Sequence, residues 1–232
     1  MTLDALRQEV LEANLALVRK GLVVETFGNA SGIDRARGVV VIKPSGVAYE
    51  ALTPANLVVT DLDGTIVEGD LRPSSDLATH IELYKAFPSI GGVAHTHSRH
   101  AVAWAQARQE IPCFGTTHAD YFRGPIPVTE DLAHAEIAHE YERNTGLVIA
   151  RRFAHLDPQQ MKAVLVAGHA PFTWGRSAAE ASEMSFLLEE VARLALMTIQ
   201  IERGALPISY SLRDKHFLRK HGPKAYYGQR QH

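Results

Sequence analysis

Apolar residues recur at Leu3, Leu6, Val10, Ala13 and Leu17 in three- and four-residue steps, which predicts an amphipathic helix over residues 3–20 with Gly21 as its stop. Short apolar runs follow at 39–42, 57–60 and 65–67, each bounded by turn residues, and they read as strands. Asp61-Leu62-Asp63-Gly64 between two of them reads as a hairpin turn. Ser75 is placed to cap a helix that continues to about Phe87. Residues 92–95 read as a buried strand, and an alanine-rich helix begins at about Ser98. A helix near 131–144 precedes strands at 163–167 and 171–174, and a long helix covers 178–202. Its stripe of Leu187, Val191, Leu194, Thr198 and Ile201 has helical spacing and reads as core or subunit interface. Helices and strands interleave without a strict βαβ repeat, and several strand pairs are close enough to be hairpins. The pattern predicts one α/β domain over 1–232 with a central, mainly antiparallel sheet and helices on both faces. The stretch from Arg213 is polar, basic and aromatic, an ordered appendage rather than core.

Composition narrows the function classes. A chain of 232 residues with 46% hydrophobic and 22% charged residues can bury a full core, and its net charge of -2 offers no basic face for nucleic acid. No apolar run approaches the roughly 20 residues that span a bilayer, and the N-terminus lacks the apolar segment of a signal peptide. The single cysteine, Cys113, cannot form an internal disulfide, so a reducing cytoplasm is expected. Twelve histidines are the unusual figure, and their positions decide what they mean.

His95-Thr96-His97 ends an apolar run, and strand alternation would send both imidazoles to one face, where they could chelate a divalent metal. The bland alternative is a polar strand end. His169 lies between two apolar runs and must either find a hydrogen-bond partner or coordinate something. Asp76 reads either as an acid favoured by a helix dipole or as an oxygen ligand completing a three-histidine, one-carboxylate set. Three segments of small and hydroxyl residues, 28–31, 43–46 and 73–75, read as turns with free backbone N–H groups suited to an anion, and Lys43 adds a cation.

The strings PSSD at 73–76, HTHSRH at 95–100, GTTHADYF at 115–122, GHAPF at 168–172 and DKHFLRKHGPKAYYGQ at 214–229 together resemble the L-ribulose-5-phosphate 4-epimerase family of the class II aldolase/epimerase superfamily. The similarity runs from LEANLALV at 11–18 to the C-terminus. It implies an aldolase-like α/β/α fold, a cyclic homotetramer with sites at subunit interfaces, and one divalent metal per subunit, zinc first with manganese or cobalt as alternatives. Carried over by position, Asp76, His95, His97 and His169 are metal ligands, and Asp120 and Tyr227 are the catalytic acid/base pair. Gly28, Asn29, Lys43, Ser45, Gly46, Ser74 and Ser75 are substrate or phosphate contacts, and Thr116, His216 and Arg219 fall in active-site segments. The tail, 213–232, is expected to complete a neighbouring site. Each site would then take its metal and Asp120 from one chain and Tyr227 from the next.

The implied reaction is C4 epimerisation of L-ribulose 5-phosphate to D-xylulose 5-phosphate through cleavage and re-formation of the C3–C4 bond. The alternatives are an aldolase of the fuculose-phosphate type, an epimerase acting on L-xylulose 5-phosphate, and a non-enzymatic adducin-like domain. Asp76, where such aldolases carry glutamate, and the THADY segment favour the epimerase. Two positions depart from the family: Phe27 stands where tryptophan is common, and Gly168 where a larger polar residue is expected, which would loosen the surroundings of His169.

Overall fold

The structure, a computed structural model, describes residues 2–228. Seven strands form one sheet: β1 (Asn29–Asp34), β2 (Val39–Ile42), β3 (Val58–Asp61), β4 (Ile66–Glu68), β5 (Gly92–His95), β6 (Ala163–Leu165) and β7 (Pro171–Gly175). Their order is β4-β3-β2-β1-β5-β7-β6, and every neighbouring pair is antiparallel. The helices are α1 (Leu3–Arg19), α2 (Leu77–Ala86), α3 (Arg99–Ala107), α4 (Thr116–Ala119), α5 (His134–Ala138), α6 (Tyr141–Arg152), α7 (Ala178–Ile201) and α8 (Tyr210–His221). Among the described residues no helix is long and apolar enough to cross a membrane.

Side-chain alternation divides the core in two. Val39 and Val41 join Ala30, Ala94 and Val59 beneath α1, whereas Val40 and Ile42 join Ile33, Val58 and Val93 beneath α2. Both faces of the middle strands are therefore buried, and an unbroken apolar run such as Val39–Ile42 suits them. α1 is fastened to β1 by Asn14, whose side chain accepts from the Ala30 N–H at 2.9 Å and donates to the Ala30 carbonyl at 3.0 Å. This reproduces a strand pairing at the residue next to Asn29.

Three expectations need correction. The segment beginning at Gly28-Asn29 is not a turn, because Asn29–Asp34 is the central strand, and its small residues leave room for helices packed closely above it. The helix expected near 131–144 is two helices, broken at His139 and Glu140, where Glu140 takes a left-handed φ of 50°. Ser75 does not cap α2: the cap position is Asp76, whose carboxylate makes no capping bond because it is engaged elsewhere. The stripe on α7 passes from core at Val191 to an Ile201 that is 85% exposed. Helices α4 and α8 have no counterpart in the sequence reading.

Gly92 marks one of the close approaches between β5 and α7. A Cβ there would lie 2.3 Å from the Ser177 carbonyl oxygen and 2.4 Å from the Ala178 nitrogen, both backbone atoms at the start of α7. Gly92→Ala is therefore expected to push α7 away from β5 and lower unfolding free energy by about 3 kcal/mol or more, read from the urea midpoint at unchanged m-value.

Candidate active site

β1 and β5 pair at the centre of the sheet with Asn29 opposite His95. This register brings the two best polar candidates side by side on the face that α2 covers. His95 is buried, stacked on Phe172 with ring centroids 4.3 Å apart, and its Nδ1 lies 3.0 Å from the Pro171 carbonyl. A carbonyl only accepts, so Nδ1 carries the proton and Nε2 is left with its lone pair free. His97 follows two residues beyond, past the end of β5, with its ring centroid 4.9 Å from that of His95. His169 arrives from the β6–β7 turn at 5.0 Å from His95 and 5.3 Å from His97.

One nitrogen from each of the three imidazoles falls within 4.8 Å of the others, so the cluster could hold a metal ion. Burial, joined by repulsion from the other two rings, pushes His169 down to about 4, and burial likewise lowers His97. Both are neutral at physiological pH, the state in which imidazole donates to a cation. The donor chemistry fits a divalent ion.

The turn that carries His169 depends on Gly168, which takes a φ of +69° and donates its N–H to the Ala105 carbonyl at 2.9 Å. Glycine here is a requirement of the turn that fixes His169 and is tied to α3. The Tyr141 hydroxyl lies 3.3 Å from His169 Nδ1 and was not found by the sequence reading. Phe27, 57% exposed, leans on His97 with 5.6 Å between ring centroids.

Asp76 sits beside the histidines. Asn29 Nδ2 donates to its Oδ2 at 2.6 Å and to Ser74 Oγ at 3.1 Å. Burial opposes ionisation of Asp76, but the neighbouring His95 and His80 and the Asn29 bond outweigh it and hold its carboxyl below the usual range. Ser74 in turn donates its N–H to the Lys43 carbonyl, and Ser45 donates to Arg72, so the 43–46 and 73–76 segments run together as a two-strand bridge at Pro44 and Pro73. Two of the three small-residue segments are thus true irregular segments, and Asn29 of the central strand joins them. Gly28 offers its carbonyl to Tyr49 Oη at 2.7 Å, and Gly46 takes a φ of +67°. Ser75 is close in sequence but shares no bond with Asn29.

Lys43 is 2% exposed. Its ammonium has the Pro44 carbonyl at 3.4 Å and the Tyr49 ring centroid at 4.8 Å, and among the described residues no carboxylate within salt-bridge distance. Burial lowers its pKa. A cleft of about 740 Å³ shares Ser74 and Ser75 with this cradle but contains none of the triad.

A second cluster forms around Asp120. Arg219 donates to both of its carboxylate oxygens at 3.1 and 2.9 Å, His216 Nδ1 lies 3.0 Å away, and Lys220 Nζ is at 3.8 Å. His221 Nε2 binds the Asp120 backbone carbonyl at 2.8 Å. Burial opposes ionisation, but the bonds from Arg219 and His216 prevail and keep the carboxyl below its usual range. These partners all belong to α8, whose helical spacing presents them to the end of α4. Thr116 opens α4, half-buried, and accepts the Asp120 N–H through its carbonyl.

Tyr227 is exposed, with Arg219 4.8 Å and Lys220 4.4 Å from its ring centroid. Tyr227 stands against the same cations that hold Asp120 in its own chain, whereas the triad and Asp120 have separate partners. The four residues 229–232 of the expected tail lie outside the described residues.

The chain matches the class II aldolase and adducin N-terminal domain over residues 8–196. It belongs to the class II aldolase and adducin family. It is 53% identical over 228 residues to L-ribulose-5-phosphate 4-epimerase UlaF of Salmonella paratyphi A, covering 98% of this chain and 100% of that protein, and equally so to UlaF of Salmonella typhi. Among solved structures it is similar to an L-fuculose-1-phosphate aldolase from Thermus thermophilus, with TM-score 0.67, 26% identity, and 87% and 98% of the two chains covered. YgbL from Klebsiella pneumoniae shares the fold at TM-score 0.74 and 24% identity, covering 93% and 99%.

Burial also sets an acid limit. It drives His118, whose Nε2–H donates to the Gly124 carbonyl at 2.7 Å, down to about 4. A folded-state pKa below the unfolded value near 6.5 means that the unfolded chain binds the proton first. Stability is therefore complete above about pH 6.5 and falls as pH drops toward 4, by about 3 kcal/mol for this group. Unfolding of metal-free protein between pH 7.5 and 4.5 should show that decline, and His118→Gln should flatten part of it.

Proposed function

We propose that this chain is a metal-dependent L-ribulose-5-phosphate 4-epimerase, interconverting L-ribulose 5-phosphate and D-xylulose 5-phosphate. The observation that carries the reading is the 53% identity to UlaF proteins along nearly the whole of both chains. The approach of three histidines with Asp76 beside them supports its chemistry. His95, His97, His169 and Asp76 would hold the ion, and three imidazoles with one carboxylate suit zinc, with manganese or cobalt as substitutes.

C4 carries no acidic hydrogen, so its inversion proceeds by breaking C3–C4. A divalent ion supplies Lewis-acid stabilisation of the negative charge that develops as that bond breaks. The C4 hydroxyl gives up its proton, its C–O becomes an aldehyde, and the C3–C4 pair stays on the three-carbon fragment. The two-carbon fragment, glycolaldehyde phosphate, turns its other face and the bond re-forms. The phosphate must stay held while this happens. Lys43 supplies the charge, Asn29, Ser45, Gly46, Ser74 and Ser75 supply hydroxyls and N–H donors, and Gly28 allows the close approach. Asp120, kept ionised by Arg219 and His216, accepts a proton on one face of the aldehyde, and Tyr227 donates and accepts on the other. Thr116 lies beside Asp120 as a further substrate contact.

The separate partners of the triad and of Asp120 favour a site shared between neighbouring subunits of a homotetramer. One chain contributes the metal ligands and cradle, and the next contributes Asp120 and Tyr227 together from α4 and the 213–232 tail.

Three measurements test this. A coupled assay of D-xylulose 5-phosphate formed from L-ribulose 5-phosphate should show turnover, lost on chelation and regained with zinc, manganese or cobalt. Release of free glycolaldehyde phosphate as the main product would favour an aldolase instead. Asp120→Asn should keep its metal and lose at least about a hundredfold in rate, the usual scale of a lost acid/base group, while His97→Asn should lose metal. For subunit sharing, Asp120→Asn chains refolded with His97→Asn chains should regain about one site in four. Asp120→Asn mixed with Tyr227→Phe should stay inactive, and rescue of that second pair would assign the two residues to different chains.

A further inference from the structure

The strand that delivers His95 and His97 runs directly into α3, and the helix that follows is capped in an unusual way. Ser98 occupies the N-cap position, where a serine hydroxyl ordinarily accepts a bond from the first turn. It makes no such bond here. Its Oγ instead accepts from Thr96 Oγ1 at 3.4 Å and faces Glu189 as a donor.

The capping is done from α7. Glu189 Oε1 and Oε2 accept the His100 N–H at 3.0 and 3.1 Å, and Oε2 accepts the Ala101 N–H at 3.0 Å. His100 Nδ1 donates to Oε1 at 2.7 Å. The carboxylate side chain is only 13% exposed. Burial opposes its charge, but the backbone N–H groups of His100 and Ala101 and the His100 ring outweigh that and hold it ionised. A cap drawn from 88 and 89 residues away fixes more than a helix end. It ties the segment Thr96-His97-Ser98 to the long helix whose start already lies against β5.

We infer that Glu189 is a positioning residue for the metal centre: by capping α3 from α7 it fixes where the chain leaves β5 and so where the His97 imidazole stands relative to His95 and His169. The inference rests on the metal reading proposed above. His97 is the ligand most in need of such support. It lies beyond the strand, is half-buried, and among the described residues its imidazole makes no hydrogen bond, whereas His95 and His169 are each held through Nδ1. Polar groups that orient ligands through one intermediary typically govern metal affinity by ten- to a hundredfold.

The test uses full-length protein, demetallated and titrated with cobalt(II), whose visible spectrum reports the ligand field. Glu189→Ala should weaken cobalt binding by about ten- to a hundredfold and alter the spectrum. Glu189→Gln keeps an acceptor for the two N–H groups, and its amide can donate to His100 in the other tautomer, so it should stay within about threefold of wild type. Glu189→Asp, one methylene short, should fall between the two, and it carries the test if the alanine variant does not fold. Ser177→Ala removes the local cap of α7, where Ser177 Oγ accepts the Glu180 N–H at 3.1 Å. It should lower thermal stability without changing cobalt affinity. Wild-type affinity and spectrum in folded Glu189→Ala, or in Glu189→Asp if the alanine variant is unfolded, would overturn the inference. So would equal weakening by Ser177→Ala, which would reduce the effect to general stability. Wild-type protein that binds no cobalt would overturn the metal reading and this inference with it.

Discussion

The pairing of β1 with β5 is the constraint on which the other arrangements depend. It sets Asn29 opposite His95, and from that one register both halves of the candidate centre follow. Asn29 reaches Asp76 and Ser74 and so ties the loop before α2 to the sheet, while His95 sets the position from which the other imidazoles are measured. A slip by one residue would turn His95 and Asn29 toward α1, into the core now filled by Ala30 and Ala94. Small residues on these strands are therefore part of the site, because they let α1 and α7 press on one face while polar groups gather on the other.

Much of this was legible in the sequence where one signal dominated. α1, β2, β5 and α7 follow from apolar periodicity and their stop signals, and the observed bounds fall within a residue or so of those expected. β1 was hidden because Asn29-Ala30-Ser31-Gly32 has the composition of a turn. Its strand state comes from pairing on both sides, which no local pattern carries. The break at Glu140 was likewise invisible, since a glutamate is not a residue whose identity announces a left-handed φ.

The candidate site divides in the same way. His95 and His97 announce themselves by spacing, and His169 by its place between apolar runs. Asp76 and the Asp120 group were carried by family resemblance, because a carboxylate in a helix start or a polar tail has ordinary explanations. Tyr141 and Glu189 gave no signal: each makes its contact, with His169 and with the start of α3, across a long sequence separation. Gly168 illustrates the converse. Read as a departure that leaves His169 less supported, it is the residue that the turn's positive φ calls for.

Lys43 has a thermodynamic meaning beyond its charge. An ammonium enclosed with one distant carbonyl and an aromatic face loses its hydration, and among the described residues no carboxylate stands within salt-bridge distance to offset the loss. On the proposed reading, a phosphate entering beside Lys43 would offset that lost hydration, so part of its binding free energy would come from relieving the buried ammonium rather than from new contacts. If that reading holds, occupancy of the site and order of the 43–46 and 73–76 segments would be coupled, each favouring the other.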